Sequence, residues 1–223
     1  MRIRRGFLTA LVVLLAAGRV AAAPPQSAAR RTALPDYRDV QCRQGLLFAL
    51  LREPRRRQPA LVTLRSWSDP RPARPIVDPN VLNPAGTTAI DFFVPSLNGR
   101  KVAVSLSEKG SEDGTVHIYD VTTGRALPDV IPRVNGGTAG GSLAWNADGT
   151  GFYYTRYPRG KERPPEDLDF YQQIYFHKLG TPPEQDVYSL GNEFPRIAAI
   201  ALQTSGDGAF VLASVAHGRG GAR

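Results

Sequence analysis

The chain has 223 residues, 42% of them hydrophobic and 22% charged, and it carries a formal net charge of +8. Its single cysteine, Cys42, excludes an internal disulfide, so the fold must rest on core packing, and it provides no cluster of thiolate metal ligands. Four arginines and no acidic residue lie within residues 1–23, which leaves the remainder near +4. Because these remaining charges are scattered, we expect a solvated mixed surface and no nucleic-acid partner.

Residues 1–23 have the pattern of a secretory signal peptide. A basic head that includes Arg4 and Arg5 precedes an apolar run over residues 7–17, and alanines 21–23 offer a cleavage site. The apolar run is too short to be assigned as a membrane span, and an uncleaved anchor is the alternative. In either case we expect an exported protein, periplasmic or secreted, without membrane contact after cleavage. Residues 24–36 lack an apolar period and are predicted to form a flexible mature terminus.

The β pattern begins at Tyr37. Residues 46–51 and 61–64 predict a hairpin around a basic, proline-containing turn. A short helix is the alternative for the first of these runs, but the flanking Gly45 and Pro54 favour a strand. A short strand at Ile76 is predicted to end in a turn, and another strand is predicted over residues 88–94.

A polar turn that ends in glycine recurs along the chain. The clearest copy, residues 146–149, lies between apolar residues and predicts two tightly joined antiparallel strands. Equivalent glycines at 99, 149 and 208 are 50 and 59 residues apart, and the first and last precede strand candidates over residues 102–107 and 210–215. A second unit, a strand closed by a glycine turn, covers residues 115–124 and 173–181. A repeat of about 50 residues built from short strands and glycine turns predicts consecutive β-propeller blades.

A glycine-rich segment, residues 135–141, lies just before the strand of Trp145. A phosphate-binding loop would be followed by a helix, whereas a strand and a tight turn follow here. These glycines are therefore predicted to let the backbone pass close to a neighbouring blade or to the central channel. Ser142 falls in an incomplete nucleophile-elbow pattern and is predicted to be structural. Residues 158–165 predict a long solvated loop, and residues 166–173 a single helical turn.

No group of catalytic or metal-binding residues stands out. His117 and His177 fall in corresponding strands of successive repeats and His217 lies near the end of the third, so no two have metal-ligand spacing, and we expect surface or strand histidines. The acidic pairs at residues 112–113 and 166–167 lie in turns and single out no glycosidase pair. Five aromatic residues are expected in the core between blades: Trp145, Phe152, Tyr153, Tyr154 and Tyr157.

Five segments, in order, resemble the N-terminal propeller of the prolyl oligopeptidase family. They are residues 78–80, residues 95–99, residues 105–112, Trp145 with residues 148–157, and residues 175–181. The resemblance extends from about residue 37 to residue 221. It implies an all-β fold, with residues 37–223 forming a partial β-propeller of four-stranded antiparallel blades, about three to four of an expected seven.

The resemblance also implies a function. Members are serine peptidases that cut short, proline-containing peptides, and their propeller gates access to an α/β-hydrolase domain in the same chain. That domain lies C-terminal to the propeller, so we expect it to be absent from this sequence together with the catalytic Ser, Asp and His, and we expect the chain to be inactive alone. No catalytic residue, cofactor or metal is therefore expected here.

The substrate-binding residues stay unassigned. The glycines around Gly140 take the place of an aromatic residue that borders the substrate site in some members of the family, so no substrate role is transferred to them. The alternative function is an exported, non-catalytic binding or scaffold module that completes its propeller by self-association.

Overall fold

The structure of the chain is a computed structural model that describes residues 36–66, 68–69 and 73–217. These residues fall within one compact unit, Ala33–Arg223. The predicted signal peptide and the predicted flexible terminus up to residue 35 lie outside the described residues. Within the described residues, no helix is long and apolar enough to span a membrane.

The described residues form three four-stranded antiparallel sheets and one hairpin, with the strands of each sheet in chain order. Blade 1 contains β1 (Asp36–Arg43), β2 (Leu46–Arg52), β3 (Ala60–Leu64) and β4 (Arg74–Val77). Blade 2 contains β5 (Thr88–Pro95), β6 (Lys101–Glu108), β7 (Gly114–Asp120) and β8 (Ala126–Asn135). Blade 3 contains β9 (Leu143–Trp145), β10 (Gly151–Arg156), β11 (Gln173–Lys178) and β12 (Val187–Leu190). The hairpin contains β13 (Ala198–Thr204) and β14 (Val211–His217).

This architecture confirms the predicted all-β partial propeller, with three blades followed by a two-stranded sheet. Helical structure within the described ranges is limited to α1 (Pro79–Leu82) and two short 3₁₀ turns, Pro165–Asp167 and Pro183–Gln185. The first of these turns begins one residue before the predicted helical turn over residues 166–173 and covers only its start. The turn predicted after the strand of Ile76 is α1, which Asp78 caps by accepting the Asn80 N–H over 2.9 Å.

The recurrent glycine turns are confirmed. Gly99, Gly149 and Gly208 have φ angles of +66°, +68° and +77°, a conformation that glycine adopts without steric cost. Each N–H donates to the carbonyl of the residue three positions earlier, over 2.8 to 3.2 Å. Each turn joins the first and second strands of its sheet, so the motif occurs once each in blade 2, blade 3 and the hairpin.

The core lies between the sheets, because successive residues of a strand face opposite sides. In β6, Val102 and Val104 pack toward blade 1, whereas Ala103 packs toward blade 3. In β9, Trp145 packs against blade 2, whereas Ala144 packs against the hairpin. Blades 2 and 3 are therefore apolar on both faces, and each sheet depends on its neighbours for burial.

Candidate functional site on the first strands

The first strands of the sheets form a continuous surface, which we call the first-strand wall. It consists of β1, β5, β9 and β13, each the edge strand of its own sheet. A concavity of about 350 Å³ lies on this wall. Its lining includes residues in or next to all four strands: Gln41, Arg43, Phe92, Ser142, Gln203 and Thr204.

Side chains tie the first strands together across the gaps between the sheets. The indole Nε1 of Trp145 donates to the carbonyl of Val94 over 2.9 Å, which links β9 to β5. Gln41 Nε2 donates to the carbonyl of Phe93 over 3.0 Å, which links β1 to β5. Thr204 Oγ1 donates to the carbonyl of Trp145 over 2.6 Å, which links β13 to β9. These bonds link each first strand to the first strand of a neighbouring sheet.

Ser142, the residue of the incomplete nucleophile elbow, also acts in this network. Its Oγ accepts the N–H of Leu202 over 2.8 Å, and its own N–H donates to Thr155 Oγ1 over 2.7 Å. The hydroxyl oxygen therefore holds the hairpin against blade 3. This contact is the structural role that the sequence predicts for Ser142.

Arg43 is the only charged residue among the described residues that line the concavity. Its Nη1 donates to the carbonyl of Cys42 over 2.8 Å, and no described carboxylate forms an ion pair with it. Its Nε is shielded from solvent and has no acceptor within the described part of the chain. The positive charge favours carbonyl or carboxylate oxygens at this end of the wall.

The glycine-rich segment over residues 135–141 was predicted to pass close to a neighbouring blade or to the central channel; Gly136 does approach blade 3, at Tyr157, whereas Gly141 approaches β8 of blade 2. A Cβ on Gly141 would lie 2.4 Å from the carbonyl oxygen of Val134, and one on Gly136 would lie 2.7 Å from the ring of Tyr157. The buried hydroxyl of Tyr157 accepts the Ala139 N–H over 3.0 Å, and burial raises its pKa. The segment is therefore fixed beside the concavity, which Gly141 also lines.

Arg133 organises the loops next to this segment. Its φ of +58° is uncommon for a residue with a side chain, and that side chain is only 24% exposed. The guanidinium donates to the carbonyl of Leu168 over 2.7 Å and to Asp169 over 2.8 Å, and it lies 3.3 Å from Asp113. One cation thus joins β8 and the loop before β7 to the long segment between β10 and β11.

The other sequence candidates fall into two groups. The acidic pairs supply surface ion pairs, since Asp113 faces Arg133 and Asp167 lies 3.0 Å from Arg196. Of the aromatic residues predicted in the core, Tyr153 is half-buried and the other four are fully buried: Trp145, Phe152, Tyr154 and Tyr157.

His117 and His177 lie on β7 and β11, the corresponding third strands of blades 2 and 3, as predicted. Burial lowers the pKa of His117. His177 is fully buried, and its two ring nitrogens face Asp186 and Asp129. The sequence did not indicate these partners, which lie 9 and 48 residues away along the chain.

The described residues contain no group of three or more His, Cys, Asp or Glu side chains arranged to hold a metal ion. The backbone of His217 lies at the end of β14, paired with Ala198.

Residues 30–221 match the family model described as the prolyl oligopeptidase N-terminal beta-propeller domain. The chain is 31% identical over 147 residues to a prolyl endopeptidase from Elizabethkingia meningoseptica, a match that covers 65% of this chain and 20% of that protein. It is 28% identical over 151 residues to prolyl oligopeptidase A from Galerina marginata, which covers 60% of this chain and 20% of the relative. The chain spans about a fifth of the length of these curated relatives.

Solved structures share the fold. A structure from a study of two prolyl endopeptidases and their inter-domain dynamics has a TM-score of 0.69 at 22% identity, over 82% of this chain and 26% of that one. Prolyl oligopeptidase B from Galerina marginata, bound to a 35mer hydrolysis and macrocyclization substrate, has a TM-score of 0.66 at 19% identity, over 82% of this chain and 27% of that one.

Proposed function

Since the chain belongs to the prolyl oligopeptidase family, whose N-terminal propeller domain it contains, we propose that it is the propeller part of an exported serine peptidase that cuts short, proline-containing peptides. The propeller controls which peptides reach the catalytic domain. The observation that carries this proposal is the first-strand wall, where four edge strands surround a concavity of mixed polar and apolar lining.

The size of the concavity supports selection of small substrates. Its volume of about 350 Å³ lies at the lower end of the range for small-molecule sites, about 300–1,000 Å³. That volume accommodates a few residues of an extended peptide and no folded protein. Arg43, Gln41 and Gln203 offer polar contacts, and Phe92 offers an apolar one.

The hydrogen bonds of the first-strand wall favour a peptide that passes along the wall over a peptide that stays bound as an added strand. A peptide adds to a sheet edge by bonding to the free backbone groups of that edge. The carbonyls of Phe93, Val94 and Trp145 already accept side-chain donors. An entering peptide therefore meets side chains at these positions and is released readily.

We assign catalysis to a hydrolase domain outside the described residues. A serine peptidase needs a Ser whose hydroxyl is activated by a His that an Asp orients. Ser142 Oγ is bonded to the Leu202 N–H, and both ring nitrogens of His177 are bonded to carboxylates. Neither residue is free for the catalytic role.

The catalytic assignment is tested with the purified full chain and a proline-containing chromogenic peptide. We expect no turnover by the chain alone. Turnover that a serine-directed inhibitor blocks and that Ser142→Ala abolishes would overturn the assignment.

The gating role is tested by NMR titration of the labelled chain with a short proline-containing peptide. We expect chemical-shift changes at Gln41, Phe92 and Gln203, and we expect them to disappear in Gln203→Trp, which fills the concavity. The matched control is Gln185→Trp, at an exposed site in a 3₁₀ turn. Binding that survives Gln203→Trp, or changes confined to other surfaces, would contradict a peptide path along the wall.

Export is proposed from the sequence of residues 1–23 and is tested by fractionation of a bacterial host. We expect the mature chain outside the cytoplasm, with an N-terminus that follows Ala23. Deletion of residues 2–23 should retain the protein in the cytoplasm. An intact N-terminus on cytoplasmic protein would exclude export.

A self-associating scaffold is the second candidate, and exposed apolar side chains favour it. Val187 on β12, Phe210 and Leu212 are 63%, 68% and 57% exposed. Exposed apolar side chains of this kind are a feature of interaction surfaces. The test is light scattering of the full chain: a folded, inactive dimer that Phe210→Asp dissociates would support this function, and a stable monomer would exclude it.

A further inference from the structure

A buried polar cluster joins blade 2 to blade 3, and we call it the His177 clasp. It consists of His177, Asp129, Asp186, Tyr154 and the backbone N–H of Gly180. His177 Nε2 lies 3.1 Å from Asp129 Oδ1, and its Nδ1 lies 2.6 Å from Asp186 Oδ1. Asp129 belongs to β8 of blade 2, whereas the other members belong to blade 3. The clasp therefore spans the boundary between two sheets that share no backbone ladder.

The partners of His177 require both of its ring nitrogens to carry a proton. Ionised carboxylates only accept hydrogen bonds, and a neutral imidazole has one donor and one acceptor nitrogen. Each carboxylate also receives a second donor: the Tyr154 hydroxyl donates to Asp186 over 2.6 Å, and the Gly180 N–H donates to Asp129 over 2.5 Å. With both carboxylates acting as acceptors, the imidazolium is the form of His177 that satisfies every bond.

The surroundings of the clasp also include an aromatic ring and two arginine side chains. The ring of Phe152 lies 5.2 Å from the imidazole, centroid to centroid. Burial raises the pKa of Tyr154, which keeps its hydroxyl a donor. The titratable and charged groups that face the clasp, from every element packed against it, are Asp129, Asp186, Tyr154, Arg156 and Arg159.

We propose that the His177 clasp is a pH-sensitive fastener, which holds blades 2 and 3 together while His177 is protonated and loosens their boundary when His177 loses its proton. Loss of one N–H leaves a carboxylate oxygen facing a ring nitrogen lone pair inside the protein. A buried acceptor without a donor is costly, and the two lone pairs repel. The boundary then opens more often, and the turn at Gly180 separates from Asp129.

The direction of the pH effect follows from the pKa of His177. Burial lowers this pKa, but the hydrogen bonds and the charges of Asp186 and Asp129 together raise it by more, so the pKa lies above the ordinary value of 6.5. A group whose pKa is higher in the closed state contributes stability that is fully present below its pKa in the open state. That stability is lost as the pH rises through the pKa of the closed state. The clasp is thus weakened as the pH rises above the open-state pKa of His177 and through the higher pKa of its closed state.

The test is hydrogen exchange of the Gly180 amide in the full chain, compared with the Gly124 amide. Gly124 ends the equivalent turn after β7, but its N–H donates to the backbone carbonyl of Asp120, over 2.8 Å. We expect the protection factor of Gly180 relative to Gly124 to be lower at about pH 9 than at about pH 6, because the closed state loses stability as the pH rises above the open-state pKa of His177.

Two variants separate this effect from general alkaline loosening. His177→Gln should remove the pH step at Gly180. His117→Gln, on the corresponding strand β7 and without a carboxylate partner among the described residues, should leave the step unchanged. A Gly180 protection factor that does not vary with pH, or a step that His117→Gln also removes, would overturn the proposal.

If His177→Gln does not fold, the protonation state of His177 in the unaltered chain tests the proposal by NMR spectroscopy. The ¹⁵N resonances of the imidazole distinguish a doubly protonated ring from either neutral tautomer. We expect both nitrogens of His177 to carry protons at about pH 7, above the ordinary His pKa of about 6.5. A neutral ring at that pH would contradict the proposal, whether or not the chain is part of a peptidase.

Discussion

Trp145 bonds to the strands on both of its sides. Its indole Nε1 donates to the carbonyl of Val94 in blade 2 over 2.9 Å, while its own carbonyl accepts the Thr204 hydroxyl of the hairpin over 2.6 Å. Its ring is 1% exposed and meets Phe152 edge-on at 5.2 Å. One residue of a three-residue strand therefore joins three sheets, by packing and by hydrogen bonds.

Trp145→Phe should destabilise the chain by about 2 kcal/mol or more, because it leaves the carbonyl of Val94 without its donor and removes part of a buried ring. The measurement is urea denaturation followed by circular dichroism. Tyr153→Phe, a loss of one hydroxyl from a half-buried ring on the next strand, is the control and should cost under about 1 kcal/mol. Equal effects of the two changes would show that the Val94 bond contributes nothing.

Gly141→Ala should destabilise the chain by about 2–3 kcal/mol, as expected for overpacking against a backbone that cannot yield. The new Cβ would lie 2.4 Å from the carbonyl oxygen of Val134. Gly206→Ala is the matched control, since a Cβ there meets nothing within 4 Å. Thermal denaturation of the two variants tests the difference, and a Gly141→Ala variant as stable as the control would contradict the close approach.

We expect the free energy of unfolding of Asp91→Asn, relative to that of the unaltered chain, to increase as the pH rises from about 4 to about 7. Burial raises the pKa of Asp91, and hydrogen bonds from Ser107 and Ser105 offset this only in part. A carboxyl whose pKa is higher in the folded chain than in the unfolded chain destabilises the fold as it ionises. The asparagine does not ionise and avoids that loss.

We expect the free energy of unfolding of Asp148→Asn, relative to that of the unaltered chain, to decrease over the same pH range. Hydrogen bonds from Thr150 lower the pKa of Asp148, so its carboxylate stabilises the fold above the unfolded pKa and the variant loses that contribution. Unfolding free energies of both variants, measured across this pH range, test the pair. The same slope for both would refute the assigned pKa directions.

Arg133→Gln should make the segment between β10 and β11 sensitive to proteases. The substitution removes the bonds of Arg133 to the carbonyls of Leu168 and Pro158 and its ion pair with Asp169. Arg38→Gln, which removes an exposed pair with Asp36, is the control, since surface pairs contribute about 0–1 kcal/mol. Limited proteolysis with mass mapping should show cleavage between residues 158 and 170 in the first variant alone. Cuts elsewhere, or none, would show that Arg133 does not hold this segment.

Local signals made much of the fold predictable. The turns at Gly99, Gly149 and Gly208 depend on residues within four positions of each glycine, so the sequence contains the whole motif. The strands that were not predicted lack such signals. Val187–Leu190 is exposed at all four positions and shows no alternation of apolar and polar residues. Ala126–Asn135 contains two prolines, which are uncommon within strands. Ala198–Thr204 begins with five apolar residues on both faces of the strand, so its sequence does not show which face is buried.

The candidate site was less predictable, because its contacts join residues distant in sequence. The sequence indicated that Trp145 is a core residue, but its bond to Val94 spans 51 positions. His177 was expected at a strand position, but no residue near it in the sequence indicates its contact with Asp129, which is 48 positions away. Such pairs are fixed by the stacking of one sheet on another, which periodicity within a strand does not encode.

The isolated bonds between sheets have a mechanical consequence. Strands within a blade, such as β5 and β6, are joined by a ladder in which any sliding motion would break many bonds at once. Neighbouring blades are joined by apolar packing and by single links such as Trp145 to Val94. A force on the domain should therefore move each blade as a stiff plate and concentrate the strain at the boundaries. The elastic compliance of the domain can then be tuned by one side chain at a boundary, with every blade left unchanged.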